Sequence, residues 1–358
     1  MKIINRYILE ELRGPIILSV FIFTFIFLLD IMVAMMENII VKGISIIDIL
    51  RLLSFYIPPI LTQTIPIGLF LGIMICFSKF SRNSESVAMV SIGMSINNIL
   101  KPILMLAFSL SLFILFLQES IIPRSFIKLK YLGAKIAYEN PIFQLKEKTF
   151  IDNLDEYSIY VDEVDSNGNA KNILVFEKNE KNNFPTVLVG KEASWKDYSI
   201  IIKNAEFINF TVEGKKNITG SFDEKKVSLT PFFEGINLKI KDVESLSIKT
   251  LISEMKNKEG KEKIEYKVEI FRKLALIYST FPLSLLGLAL SIGHHRTSRK
   301  YAFSLAIFII FSYIVLLNIG IVMANVGKIN AFIATWFSNI LLTLIAYKFY
   351  SLKKLRGI

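Results

Sequence analysis

The sequence predicts an α-helical membrane protein with six transmembrane helices, split three and three by a β-jelly-roll-like domain. Three observations predict it. Hydrophobic residues make up 53% of the 358 positions, and they fall in long blocks instead of alternating with polar residues. Six blocks, at about residues 14–36, 52–78, 103–122, 274–293, 302–324 and 331–350, each reach the roughly 20 helical residues that cross a bilayer. Between the third and fourth, short alternating runs bounded by turn residues replace the apolar blocks. The expected domains are 1–122, 123–270 and 271–358: three spans, a β-domain with helical connectors, then three spans and a tail.

The charge distribution supports this division. The chain carries a net +11, yet residues 124–269 hold 24 basic and 24 acidic residues, so the whole excess lies in the membrane part. Basic residues at the edges of spans are no nucleic-acid footprint, which needs them on one soluble face. With the N-terminus in the cytoplasm, Lys2, Arg6, Arg13, Lys79, Arg82, Lys101, Arg299, Lys300 and the C-terminal bases fall on the positive side. The opposite short loops carry only Lys42, Arg51 and Lys328. Arg124, Lys128, Arg272 and Lys273 run against this rule, but long translocated domains weigh less in it. The β-domain then faces outward, into the periplasm of a cell with two membranes.

Residues 2–13 alternate apolar and charged positions at helical spacing, with Ile3, Ile4, Tyr7, Ile8 and Leu12 on one side. This reads as an interfacial helix feeding the first span through Gly14-Pro15. The first span is too long for a cleavable signal segment and lacks a small-residue cleavage site. It contains Asp30, which costs about 2.5–3.5 kcal/mol at a bilayer centre. Asp30 is therefore either a polar lining for a cavity or an interfacial residue; Glu37 and Lys42 follow it. The second span carries Pro58, Pro59, Gln63, Pro66, Gly68 and Gly72. Its prolines predict freed carbonyls, and its small residues predict close helix packing. Cys76, the single cysteine, is a packing residue by this pattern. The third span ends near Gln118-Glu119.

Between the second and third spans, 79–101 reads as a short cytoplasmic helix, at about 80–95, flanked by turns. Asn83 or Ser84 caps it, and Glu85 lies in its first turn, where a carboxylate suits the positive helix end. Val87, Ala88, Val90 and Met94 give it an apolar side, and Gly93 stops it. Ser95 caps the following helix, which Pro102 enters near its first turn. The plain alternative is a solvated loop. A carboxylate held between two spans is also where a soluble partner can transmit force.

In the central domain, strand-like runs at 157–164, 172–176, 186–189, 198–202, 206–212, 227–229 and 236–240 are separated by turn signals. They predict a sandwich or jelly-roll. A β-domain of this kind either shelters acyl chains and offers an edge strand to a partner, or serves as a folded spacer. Residues 245–270 form a polar helical return. Asn318 and Asn325 are candidates for helix–helix hydrogen bonds.

Catalytic chemistry is missing. The two histidines, His294 and His295, are adjacent in a basic turn, and no HExxH, GxSxG or Cys/His cluster occurs. Gly-Lys at 190, 214, 260 and 327 is never followed by Ser or Thr, so the chain has no Walker A loop.

With this architecture and no ATPase of its own, the chain resembles the lipopolysaccharide-export permeases of the LptF/LptG (YjgP/YjgQ) family over essentially its whole length. RYILEEL at 6–12, Ser84-Glu85 with Met89 and Gly93, Pro282-Leu283 with Gly287, and Gly327-Lys328 carry the likeness. The Ser-Glu…Met…Gly pattern is the most specific. Asn140-Pro141 and Gly327-Lys328 lean toward the F type. The resemblance implies a pair of homologous permease subunits in the inner membrane, bound to a dimer of cytoplasmic ABC ATPases. The ATPases hold ATP and Mg; this chain holds no cofactor. The implied cargo is lipopolysaccharide or a related glycolipid, passed to a bridge of periplasmic β-jelly-roll proteins. By the same resemblance Glu85 contacts the ATPase, with Arg82, Ser84, Ala88, Met89 and Gly93 shaping the contact. Lys42, with Asp30 and Glu37 nearby, stands near where the family places basic residues for lipid phosphates. The residues alone leave two other readings open: a membrane-anchored periplasmic scaffold, and an ion-coupled flippase working through Asp30.

Overall fold

A computed structural model describes residues 2–42, 45–139, 148–154, 157–165, 170–177, 185–196, 199–210, 216–228, 243–292 and 299–355. His294-His295, Asn140-Pro141 and the expected strand at 236–240 lie outside them. Six described helices are long and apolar enough to cross a membrane. Three precede and three follow an antiparallel β-sheet, as the block pattern predicts. The chain divides into two compact units: 1–33, 53–126 and 242–358 in one, 34–52 and 127–241 in the other.

In chain order the first part comprises α1 (Lys2–Lys42), α2 (Ile46–Arg82), α3 (Glu85–Ser91) and α4 (Ile96–Phe116). A π-helical turn, Leu117–Ile121, leads into α5 (Ile122–Glu139). After the sheet come a single 3₁₀ turn (Val243–Ser245), α6 (Ile248–Met255), α7 (Gly260–Ser291), α8 (Arg299–Asn325) and α9 (Ala331–Leu355). The interfacial helix and the first span, expected as two pieces joined at Gly14-Pro15, are one helix with Pro15 inside it. A proline removes only one ladder bond, and the freed carbonyl lies near the end of the apolar run.

The bundle is organised around α2 and α7. In their most apolar stretches 83% and 72% of residues are buried, against 11% in α1 and 28–33% in the others. The small residues of α2 explain its place. A Cβ on Gly68 would lie 2.9 Å from the Val20 nitrogen, and one on Gly72 would lie 2.8 Å from the Ile16 Cα. These two glycines, four residues apart, let the α1 backbone approach directly. On another side of α2, Gly287 of α7 packs against Phe70 and Ile73. Ile8, Leu12, Leu69, Ile73, Cys76 and Phe80 are buried together in the resulting core. Asn318 and Asn325 are exposed and make no hydrogen bond among the described residues. One interhelical bond is made instead by Asn339, whose Nδ2 donates to the Ala275 carbonyl at 2.8 Å.

The sheet is a six-stranded antiparallel meander: β1 (Thr149–Leu154), β2 (Tyr157–Val164), β3 (Ala170–Glu177), β4 (Thr186–Lys196), β5 (Ser199–Phe210) and β6 (Lys216–Ser228). Ile159, Val161, Ile173, Val175 and Leu188 are buried by strict alternation. The alternation then slips. In β3, β4 and β5 two exposed residues separate buried ones: Lys171-Asn172, Lys191-Glu192 and Lys203-Asn204. Lys171, Glu192 and Lys203 are paired across the strands, so the slip forms a line through the sheet. Asn172 (φ 53°) and Asn204 (φ 49°) take left-handed backbone there, a conformation that asparagine tolerates better than most residues. Beside that line Gly190 gives room to Ile202, whose Cγ2 would sit 2.0 Å from an added Cβ.

Candidate functional site

The stretch between the second and third spans folds as α3, closed at both ends by left-handed residues. Ser84 (φ 60°) turns the chain, and its carbonyl accepts the Ala88 N–H at 3.0 Å, so Ser84 caps through its backbone. Gly93 (φ 79°) ends it, and the Met94 N–H returns to the Met89 carbonyl at 3.1 Å. This six-to-one closure is the helix stop that glycine serves best. Ser95 stands at the next N-cap in extended conformation, but its side chain makes no capping bond.

Two bonds hold Glu85. The Tyr7 hydroxyl donates to Oε2 at 2.7 Å, and Asn83 Nδ2 donates to Oε1 at 2.9 Å. Tyr7 is itself fixed: its ring stacks on Phe80 with centroids 5.5 Å apart. Nearby, Lys79 pairs with Glu11 at 2.6 Å and Arg6 with Glu10 at 2.7 Å. Glu85 thus remains the carboxylate of this surface not paired to a cation among the described residues.

The predicted residues sort into two sides of α3. Arg82, Ser84 and Ala88 are exposed, and Glu85 is half-buried. Met89 is buried, packed with Ile8, Leu12, Phe77, Phe80, Ile96 and Ile99, which belong to α1, α2 and α4. Ser86 is buried too; its hydroxyl bonds Ser81 Oγ (3.4 Å), which donates to the Ser291 carbonyl of α7 (3.3 Å). The underside of α3 therefore rests on α1, α2 and α4 and is linked to α7 through Ser81 of α2. Tyr7 and Ser86 were not singled out as site residues from the sequence, since a tyrosine 78 positions away carries no local signal for the contact.

The membrane-facing candidates are less gathered. Asp30 lies exposed on α1, with no hydrogen bond or ion pair among the described residues. Glu37 and Lys42 are on the same helix, but their side chains fall outside the described residues. Elsewhere a cavity of about 40 Å³ is lined by Gln63, Pro66, Arg272, Ser279, Tyr313 and Asn318, among others. No cluster of His, Cys, Asp and Glu suited to a metal occurs among the described residues.

Six spans divided by a β-sheet, with a short helix between the second and third, define a polytopic membrane protein. The chain matches the family of the lipopolysaccharide export system permease LptF/LptG over residues 6–354, nearly its whole length. It belongs to that family, and so to a family of transporters of the inner membrane. A comparison with curated proteins gives no match to the chain.

Proposed function

We propose that this chain is the permease subunit of an ATP-driven exporter that extracts lipopolysaccharide from the inner membrane and hands it to a bridge of periplasmic β-jelly-roll proteins. The observation that carries the reading is the mounting of Glu85. It stands on an exposed helix whose other side, through Met89 and Ser86, is seated on α1, α2 and α4 and linked through Ser81 to α7. A push on such a helix reaches four elements of the bundle. The pusher is a cytoplasmic ABC ATPase dimer, docked against Arg82, Ser84, Glu85 and Ala88, with Met89 and Gly93 fixing the helix beneath and behind them. ATP and Mg belong to that partner.

The energetics suit the task. Drawing a lipid chain from a bilayer costs about 0.8 kcal/mol per exposed CH₂, so an unsheltered multi-acyl lipid exceeds what one hydrolysis supplies. A second homologous permease subunit completes an apolar path. The exposed apolar faces of α1 and α8 face lipid or that subunit, and Asp30, Glu37 and Lys42 border the cargo. In this orientation both termini and α3 are cytoplasmic, and the sheet is periplasmic.

Reconstitution tests the reading. The chain, its homologous subunit and the ATPase are placed in proteoliposomes with lipopolysaccharide and a soluble β-jelly-roll acceptor. Transfer is expected to require ATP and to fall at least tenfold with Glu85→Ala. Transfer that ignores both ATP and the substitution would refute it.

A further inference from the structure

Where the third span ends, the helix widens into the π-helical turn Leu117–Ile121. Single π turns of this kind concentrate at functional sites. Gln118 is 1% exposed; its Nε2 donates to the Lys273 carbonyl of α7 at 3.4 Å, and its Oε1 has no hydrogen-bond partner among the described residues. The neighbouring Glu119 reaches the stretch that returns from the sheet. Its two carboxylate oxygens accept the N–H groups of Ile248 (3.0 Å) and Lys249 (3.2 Å), the first turn of α6. A carboxylate at a helix N-terminus meets both free donors and the positive helix end.

The same stretch is held from α7. Lys273, 2% exposed, donates through Nζ to the Leu246 carbonyl and lies 3.8 Å from Glu269. Glu269, also buried, takes Arg272 through Nε and Nη2, both at 2.7 Å. A buried charge is tolerated only when it is paired and hydrogen-bonded. These charges, set against the sign rule at the flanks of the insert, are accounted for by one another. Residues 246–249 are thereby bonded on one side to the exit of the third span and on the other to the fourth. The chain that contains the sheet leaves at Ile122 and comes back at Val243, so it begins and ends at this node.

We infer that Glu119 and Lys273 are positioning residues. They form a clasp that keeps the outgoing and returning connectors of the β-domain on the third and fourth spans, so that a movement of those spans is delivered to both connectors together. This role rests on the transport reading above; the clasp itself does not.

Hydrogen exchange and transfer per ATP test it on the full chain. Glu119→Gln keeps the shape and one acceptor, and the judgement rests on it; Glu119→Ala supplies the larger effect. In the detergent-purified chain, exchange in a peptide covering 246–250 should rise about threefold with Gln and at least tenfold with Ala, while peptides of α2 and β3 stay unchanged. In the reconstituted complex, ATP turnover should stay within about twofold of the unsubstituted complex while lipopolysaccharide transferred per ATP falls at least fivefold. Unchanged exchange at 246–250 would overturn the clasp. Protection lost throughout the chain with Glu119→Gln would overturn a positioning role, as would local opening with transfer per ATP intact. Should the unsubstituted complex transfer no lipopolysaccharide on ATP addition, the transport reading fails, and with it the coupling role; the exchange arm still judges the clasp.

Discussion

Tyr7 is the residue that makes Glu85 more than a surface carboxylate. Its ring is stacked on Phe80 and its hydroxyl bonds Glu85, so Tyr7→Phe removes the tether and keeps the packing. Hydrogen bonds to charged groups are worth about 1.5–3 kcal/mol, less at an exposed site such as this. About 1 kcal/mol of weakened docking is expected, a roughly fivefold fall in ATPase affinity by titration. The reverse holds for the glycines of α2. Gly72→Leu sets a side chain where Ile16 Cα and N stand within 3 Å, and a backbone cannot move aside as a side-chain tip does. Loss of a monodisperse size-exclusion peak is expected for Gly72→Leu and not for Gly133→Ala, since nothing lies within 4 Å of a Cβ at Gly133. Transfer that remains after Asp30→Asn should still depend on ATP. An ion-coupled flippase would lose transport with that substitution and would not need ATP.

Among the elements, α3 and the sheet show what the sequence could and could not convey. The stops of α3 are legible because they are local, Gly93 in left-handed backbone and Glu85 at the first helical position, although the helix is shorter than the expected 80–95 because α2 continues to Arg82. Its anchoring is not legible, because Met89 is defined by Ile8, Phe80 and Ile99 from three other helices. Met89→Ala should therefore uncouple α3 by loosening its seat, at a cost of about 2 kcal/mol; Met89→Leu should cost under about 1.5 kcal/mol. Thermal melts of the purified chain separate the two. In the sheet, the strands written in plain alternation, such as β2, were readable. The slip at Asn204 divided β5 into two apparent runs, 198–202 and 206–212, although the structure carries one strand across it. Of β6 only the end, within the run 227–229, was readable: Ser221 to Glu224 are all exposed, so no apolar period marks the rest. Asn204→Gly should be tolerated at the slip, whereas Asn204→Val, strained in left-handed backbone, should cost about 1–2 kcal/mol in the same melts.

At the scale of the whole molecule, the apolar blocks determined nearly everything about the membrane part. Bilayer thickness sets span length, a constraint that needs no tertiary knowledge, and all six expected spans lie within long apolar helices. The arrangement of those spans was less visible. Only the crowding of Gly68 and Gly72 into one helix hinted that α2 would be central. The buried ion pairs of Glu269 with Arg272 and Lys273 were hidden, because the same charges read in sequence as exceptions to the topology rule. The exposed apolar faces of α1, α4, α8 and α9, with Phe21, Phe108, Phe311 and Phe337 among them, are what a bilayer or a second subunit covers. In the proposed function, force enters the bundle through α3. The most direct test is to purify the chain in detergent with its ATPase and measure how much ATPase is retained and how fast it turns over, with and without Glu85→Ala. The expected result is a bound, active ATPase that Glu85→Ala releases or silences while the chain stays monodisperse. An ATPase held and working equally well in both preparations would contradict it.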